Sequence, residues 1–181
     1  MKAYTINPQK KELKEVDIEI LANTAYTFFS SILIDESEII SKHIIYTDAN
    51  AVNSNKTPFF LGGQLLVGDA LILGREDFID MEVTIYKDEL VELVKYDMSQ
   101  FYTDALLTLS CTELNLYRTI DVMINDEKVS LNAEWVLSTF NIADERTKEY
   151  FLNELKKVID SNQSVEEYMK KMAGLALNAA S

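Results

Sequence analysis

Phe59-Phe60-Leu61-Gly62-Gly63-Gln64-Leu65-Leu66-Val67-Gly68-Asp69-Ala70-Leu71-Ile72-Leu73-Gly74 is the stretch that decides the fold class. Its glycines punctuate short apolar runs of strand length. The Gly68-Asp69 pair suits a tight turn or bulge, and the apolar run after it suits a buried strand. Gly62-Gly63 reads as a bend. The segment lacks the G-x-x-x-x-G-K-[ST] spacing whose backbone amides cradle phosphates.

Upstream, Ala3 and Thr5 alternate with Tyr4 and Ile6. Asn7-Pro8 with Gln9-Lys10-Lys11 then reads as a turn. Val16, Ile18 and Ile20 alternate with Glu15, Asp17 and Glu19, which predicts a β-hairpin whose carboxylates face water. Asn23 or Thr24 is placed to cap a short helix through Leu33, with Tyr26, Phe29, Ile32 and Leu33 packing on the sheet. Residues Ile39 to Tyr46 are rich in β-branched side chains and predict one strand. From Thr47 to Pro58 the chain turns polar and reads as a loop.

Downstream, Val83 and Ile85 suggest one more strand, and Asp88 is a cap for a short helix carrying Leu90, Leu93 and Val94. Ser99 is a cap for a helix with Phe101, Tyr102, Ala105, Leu106 and Leu109 on one face. Ile120, Val122 and Ile124, then Val129 and Leu131, flank Asn125-Asp126-Glu127-Lys128, a hairpin pattern. Asn132 and Asp144 cap the next two helices, and the second carries Phe151, Leu152, Leu155, Val158 and Ile159 on one stripe. Ser164 and Glu167 have capping-box spacing before a last helix bearing Tyr168, Met169, Met172 and Leu175. The pattern is α+β: a small β-rich N-terminal unit around one helix, then a hairpin and a helical C-terminal region. The expected division is residues 1–86 and 87–181, or one continuous domain.

The composition narrows function by exclusion. The 181 residues hold 17 basic and 30 acidic side chains, a formal charge of −13. Duplex binding needs clustered Lys and Arg on phosphates, so none is expected. One cysteine, Cys111, permits no intramolecular disulfide and fits a reducing compartment. The N-terminus has no signal-peptide h-region, and no apolar run approaches the ~18 residues of a membrane span. The expected location is the cytoplasm, with no membrane partner.

Catalytic and metal constellations are sparse. The one histidine, His43, lies in a predicted strand, where Asp48, five residues on, would point to the opposite face. His43 therefore reads as a structural or surface residue. Cys111 lies among Leu109, Ser110 and Thr112 with no neighbouring cation to favour its thiolate. One His and one Cys cannot compose a usual zinc cage, and the carboxylate spacing does not match an EF-hand. No catalytic residue, metal site or cofactor is expected.

Lys2-Ala3, Ile6 and Pro8, then Glu15-Val16 with Ile18, Tyr46-x-Asp48, Phe59-Phe60 and Gly68-Asp69-Ala70-Leu71-Ile72-Leu73-Gly74 follow a further pattern. Over residues 2 to 74 the chain resembles an uncharacterised domain of phages, plasmids and other mobile elements. Members of that family begin with K-A-x-x-I-x-P and end with a G-x-A-x-x-x-G strand. The resemblance implies a mobile-element accessory protein with no defined activity, and it transfers no functional residue.

Three functions remain in view. The first is a non-enzymatic acidic accessory protein that binds another protein, one with a basic surface. The second is a small-molecule binder or enzyme at the 47–58 loop, where Tyr46, Asp48, Asn50, Asn53 and Asn55 are the candidate ligand contacts. The third is a homo-oligomer. For it, and equally for a partner protein, Tyr168, Met169, Met172 and Leu175 are the candidate docking residues, since methionines adapt to irregular surfaces.

Overall fold

The fold is α+β, and the computed structural model describes residues 1–19, 23–40, 42–110, 119–124, 127–161, 164 and 167. The chain forms two compact units, Met1–Tyr96 and Asp97–Ser181.

The first unit is built on β7 (Ala70–Glu76). Before it come β1 (Lys2–Asn7), β2 (Glu12–Asp17), α1 (Thr24–Phe29), β3 (Ile34–Ile40), β4 (His43–Asp48), β5 (Pro58–Leu61) and β6 (Gln64–Val67). After it come β8 (Ile79–Met81), α2 (Lys87–Leu93) and β9 (Val94–Lys95). The larger sheet runs β2-β1-β7-β4-β3, with β8 continuing the β1 edge of β7. All its pairings are antiparallel. A second sheet runs β6-β5-β9.

Successive β7 side chains point to opposite faces, and both faces are covered. On one, Ile72 joins Tyr4, Ile6, Ile45 and Ala70 against Phe59 and Leu61 of β5, with Val83, Ile85, Leu90 and Val94 closing the core. On the other, Leu71 and Leu73 join Ala3, Ile44 and Tyr46 beneath Ala25 and Phe29 of α1. A strand buried on both faces must be continuously apolar, which is why Ala70 to Leu73 does not alternate. Each fully buried Leu or Ile here contributes about 1.5–3 kcal/mol of transfer free energy.

Several local readings change. α1 ends at Phe29 because Ser30 takes a left-handed conformation (φ 52). Ile32 and Leu33 are therefore outside the helix and exposed, Tyr26 is half exposed, and of the four expected contacts Phe29 is the one that packs on the sheet. The stretch Ile39–Tyr46, expected as one strand, spans parts of two, β3 and β4, and Lys42 supplies the positive φ, 67, at the reversal between them. Val83 and Ile85 lie in no strand; they alternate because both reach the core, and the Val83 amide donates to the Lys2 carbonyl. Asp88 sits inside the first turn of α2, whose N-cap is Tyr86. α2 and β9 belong with the first unit because β9 pairs with β5 and Leu90 and Val94 fill its core.

The second unit contains α3 (Ser99–Ser110), the hairpin β10 (Thr119–Ile124) and β11 (Glu127–Asn132), α4 (Ala133–Asn141) and α5 (Glu145–Asp160). Asp97 rather than Ser99 supplies the side-chain acceptor at the start of α3, taking the Ser99 amide at 3.1 Å. Asn132 and Asp144 accept the amides of Trp135 and Thr147, at 3.1 and 2.8 Å. The Ser164–Glu167 box closes in both directions, at 3.1 and 3.2 Å. Tyr102, Phe140 and Phe151 stack in tilted and edge-on contacts through the core. Cys111, Tyr168, Met169, Met172 and Leu175 lie outside the described residues.

Candidate interaction site

Two hairpins of the first unit use the same turn geometry with opposite chemistry. The β5–β6 connection is Gly62-Gly63, with Leu61 opposite Gln64 and φ values of 54 and 88. The β7–β8 connection is Asp77-Phe78, with Glu76 opposite Ile79 and φ values of 49 and 65. Two residues with positive φ form a type I′ turn, which Gly and Asn fill without strain. Asp tolerates this region, but phenylalanine there is a rare and unfavourable choice, costing about 1–2 kcal/mol.

The strain at Phe78 is not repaid by burial. Phe78 is 94% exposed, Ile79 66% and Met81 43%. An aromatic ring thus stands at the tip of a hairpin with two apolar neighbours behind it. Glu76, Asp77 and Glu82 are exposed on the same hairpin. The Glu76 carboxylate has Lys42 Nζ 3.6 Å away.

Beneath the tip the hairpin is braced. Arg75 of β7 stands opposite Asp80 of β8, and its Nε and Nη2 donate to Asp80 Oδ1 at 3.3 and 3.1 Å. Its Nη1 donates to Glu36 Oε2 of β3 at 3.2 Å. The Tyr46 hydroxyl of β4 accepts from Arg75 Nη2 and donates to Asp80 Oδ1, the latter at 2.6 Å. The guanidinium also lies 5.5 Å from the centre of the Tyr46 ring. Burial pushes the Tyr46 hydroxyl well above its ordinary value, and the hydrogen bond to Asp80 and that carboxylate's charge act in the same direction. Tyr46 therefore stays a donor at neutral pH. Four strands are tied together by one planar cation, whose fork geometry fits two carboxylates and a hydroxyl together. Gly74 completes the brace: a Cβ there would overlap the Glu82 carbonyl oxygen, so the close return of the chain after β8 requires glycine.

The loop after β4 is closed by the Asp48 side chain and by its own backbone. Asp48 Oδ1 accepts from the Ser31 hydroxyl and the Asn50 amide, both at 3.0 Å. Backbone bonds from Ser54 to Asn50, Asn55 to Val52 and Lys56 to Ala51 close the turns. Asn53 and Asn55 are exposed, and Asn55 takes φ 50. The Tyr46 hydroxyl belongs to the Arg75 network and the Asp48 carboxylate to loop closure, so both of these expected ligand contacts have partners within the protein.

His43 is buried. Its Nε2 accepts from the amides of Thr84 and Ile85 at 3.1 and 3.2 Å and faces the Thr84 hydroxyl at 3.2 Å. The imidazole pins the segment between β8 and α2, and Asp48 is not its partner in any of these bonds. Among the described residues no group of three or more His, Cys, Asp or Glu side chains is placed to hold a metal, and no helix is long and apolar enough to cross a membrane.

Sequence reasoning passed over Phe78, Arg75 and Asp80. One signal was present: Arg75 and Asp80, of opposite charge, flank a four-residue stretch shortly after the apolar run Ala70–Leu73. The stretch lacks the Gly or Asn that marks a two-residue turn, and this hid the hairpin. Comparison with known proteins returns no match, whether to a family model, a curated protein or a solved structure.

Proposed function

We propose that this chain is a non-enzymatic protein-binding module that presents the β7–β8 hairpin tip to an apolar pocket rimmed by basic residues on another protein. The observation carrying the reading is Phe78, fully solvent-facing at φ 65 on a hairpin fixed by Arg75, Asp80, Tyr46 and Glu36. Strain retained at an exposed aromatic is an expense for folding, and a binding role accounts for it. Buried aromatic anchors dominate interface energetics, and a pre-braced anchor loses little entropy on docking. The carboxylates of Glu76, Asp77 and Glu82 around it favour a partner with basic side chains at the rim, in keeping with the acidity of the whole chain. An accessory role in a phage or other mobile element, the implication of the N-terminal resemblance, is part of this proposal.

The test is affinity capture from a host extract with the intact chain and with Phe78→Ser, each at low and high salt. A partner retained by the former, lost with the latter and weakened by salt supports the reading. Equal retention by both proteins overturns it.

A further inference from the structure

A second feature of the first unit uses none of the hairpin residues. The chain between β1 and β2, together with β2 itself, faces α2 and β9 across a cleft of about 490 Å³. Lys11, Glu12, Leu13 and Lys14 line one wall; Lys87, Val91, Val94 and Tyr96 line the other. In a chain of charge −13, three lysines against one glutamate make this cleft locally cationic. Glu12 is engaged by Lys14 at 2.8 Å, and among the described residues no carboxylate lies within ion-pair distance of Lys11 or Lys87. Lys11 is fixed at φ 53, and its amide donates to the Pro8 carbonyl at 3.1 Å, so its position is set by the turn.

The second wall carries one polar atom that has no partner among the described residues. The Tyr96 hydroxyl is buried and makes no hydrogen bond among the described residues. Burial raises its proton affinity, as does the charge of Glu12, so it stays a donor. A buried hydroxyl left unpaired costs about 1–3 kcal/mol, and an acceptor supplied by a ligand recovers that loss.

We infer that the cleft binds a small amphipathic anion, a carboxylate or phosphate monoester on an apolar body, with the anionic group between Lys11 and Lys87 and an acceptor on Tyr96. The size is that of small-molecule sites, ~300–1,000 Å³. Leu13, Val91 and Val94 supply the surface for the apolar body, and the lysines supply the charge. The protein-binding proposal neither requires this site nor supplies it.

Titration calorimetry and amide chemical-shift mapping of the full chain at low salt test it, with octanoate, phenyl phosphate, inorganic phosphate and phenol as probes. Octanoate or phenyl phosphate should bind saturably and shift the amides of residues 11–14, 87 and 96. Inorganic phosphate and phenol should each bind at least about tenfold more weakly, since each offers half of the recognition. Lys87→Glu should weaken binding about tenfold, and Tyr96→Phe about threefold or more, with thermal midpoints preserved. Absence of saturation by both amphipathic anions at about 10 mM overturns the inference, as does unchanged affinity in two folded variants. Inorganic phosphate binding as tightly as phenyl phosphate overturns it too, because the apolar wall would then contribute nothing.

Discussion

The Tyr46 hydroxyl donates to Asp80 across 2.6 Å although their strands are not neighbours. β4 lies along one edge of β7 and β8 along the other. The side chain of Arg75, on the strand between them, fills the gap by bonding to both. The tip hairpin is therefore held by the centre of the sheet as well as by its own ladder.

Replacing Tyr46 by Phe removes a donor from Asp80 and an acceptor from Arg75. The expected loss is about 1–2 kcal/mol at neutral pH, read by urea unfolding. The pH dependence has a definite sign. The folded hydroxyl has a proton affinity raised above the ordinary 10.0, so its contribution is present below that pH and is lost as the pH rises beyond it. The stability gap between the wild type and Tyr46→Phe should narrow in that alkaline range.

Phe78→Gly should separate stability from binding. Glycine takes φ 65 without steric cost, so the variant should gain about 0.5–1 kcal/mol in chemical denaturation. Partner capture should disappear at the same time. A loss of stability would mean that the Phe78 ring supports the fold.

His43→Ala should cost about 2–4 kcal/mol, because the buried Ile85 amide and the Thr84 amide both lose their acceptor and a cavity replaces the ring. Hydrogen exchange should quicken at Thr84 and Ile85 first. Partner capture should survive wherever the variant remains folded.

Asp104→Asn should stabilise the second unit. Desolvation raises the affinity of the Asp104 carboxyl for its proton, partly offset by the hydrogen bond from Gln100 at 2.7 Å. A raised carboxyl favours folding most below its unfolded value, near 3.8, and that help is lost as the pH rises through the folded value. The amide carries no charge to desolvate, so the variant's advantage should be largest at neutral pH and vanish in strong acid. Thermal unfolding across that range reads it directly.

Local signals were legible in the sequence, and distant ones were not. The caps at Asn132 and Asp144 and the Ser164–Glu167 box need only a few neighbouring residues, and each is realised. The buried strand after Gly68-Asp69 was equally clear, since few other elements tolerate so unbroken an apolar run. The reversal between β3 and β4 was hidden because a lysine, Lys42, occupies the left-handed position that usually advertises itself by Gly or Asn. Ile32 and Leu33 extended the apparent helix because an apolar residue on the surface looks, in sequence, like one in the core. The Arg75 network joins residues 36, 46, 75 and 80, and no local pattern links Glu36 or Tyr46 to the Arg75–Asp80 pair.

The position of β7 also sets an order of events during synthesis. The hairpins β1–β2 and β3–β4 are complete once residue 48 has been made, yet neither pairs with the other. Both wait for residues 70–76 to emerge and slide between them, a non-local closure that is slow compared with forming a hairpin. Until then each hairpin has an uncovered edge and an apolar face open to other chains. A released chain truncated before residue 70 should be an aggregation-prone pair of ribbons, and restoring residues 70–76 should convert it into a sheet.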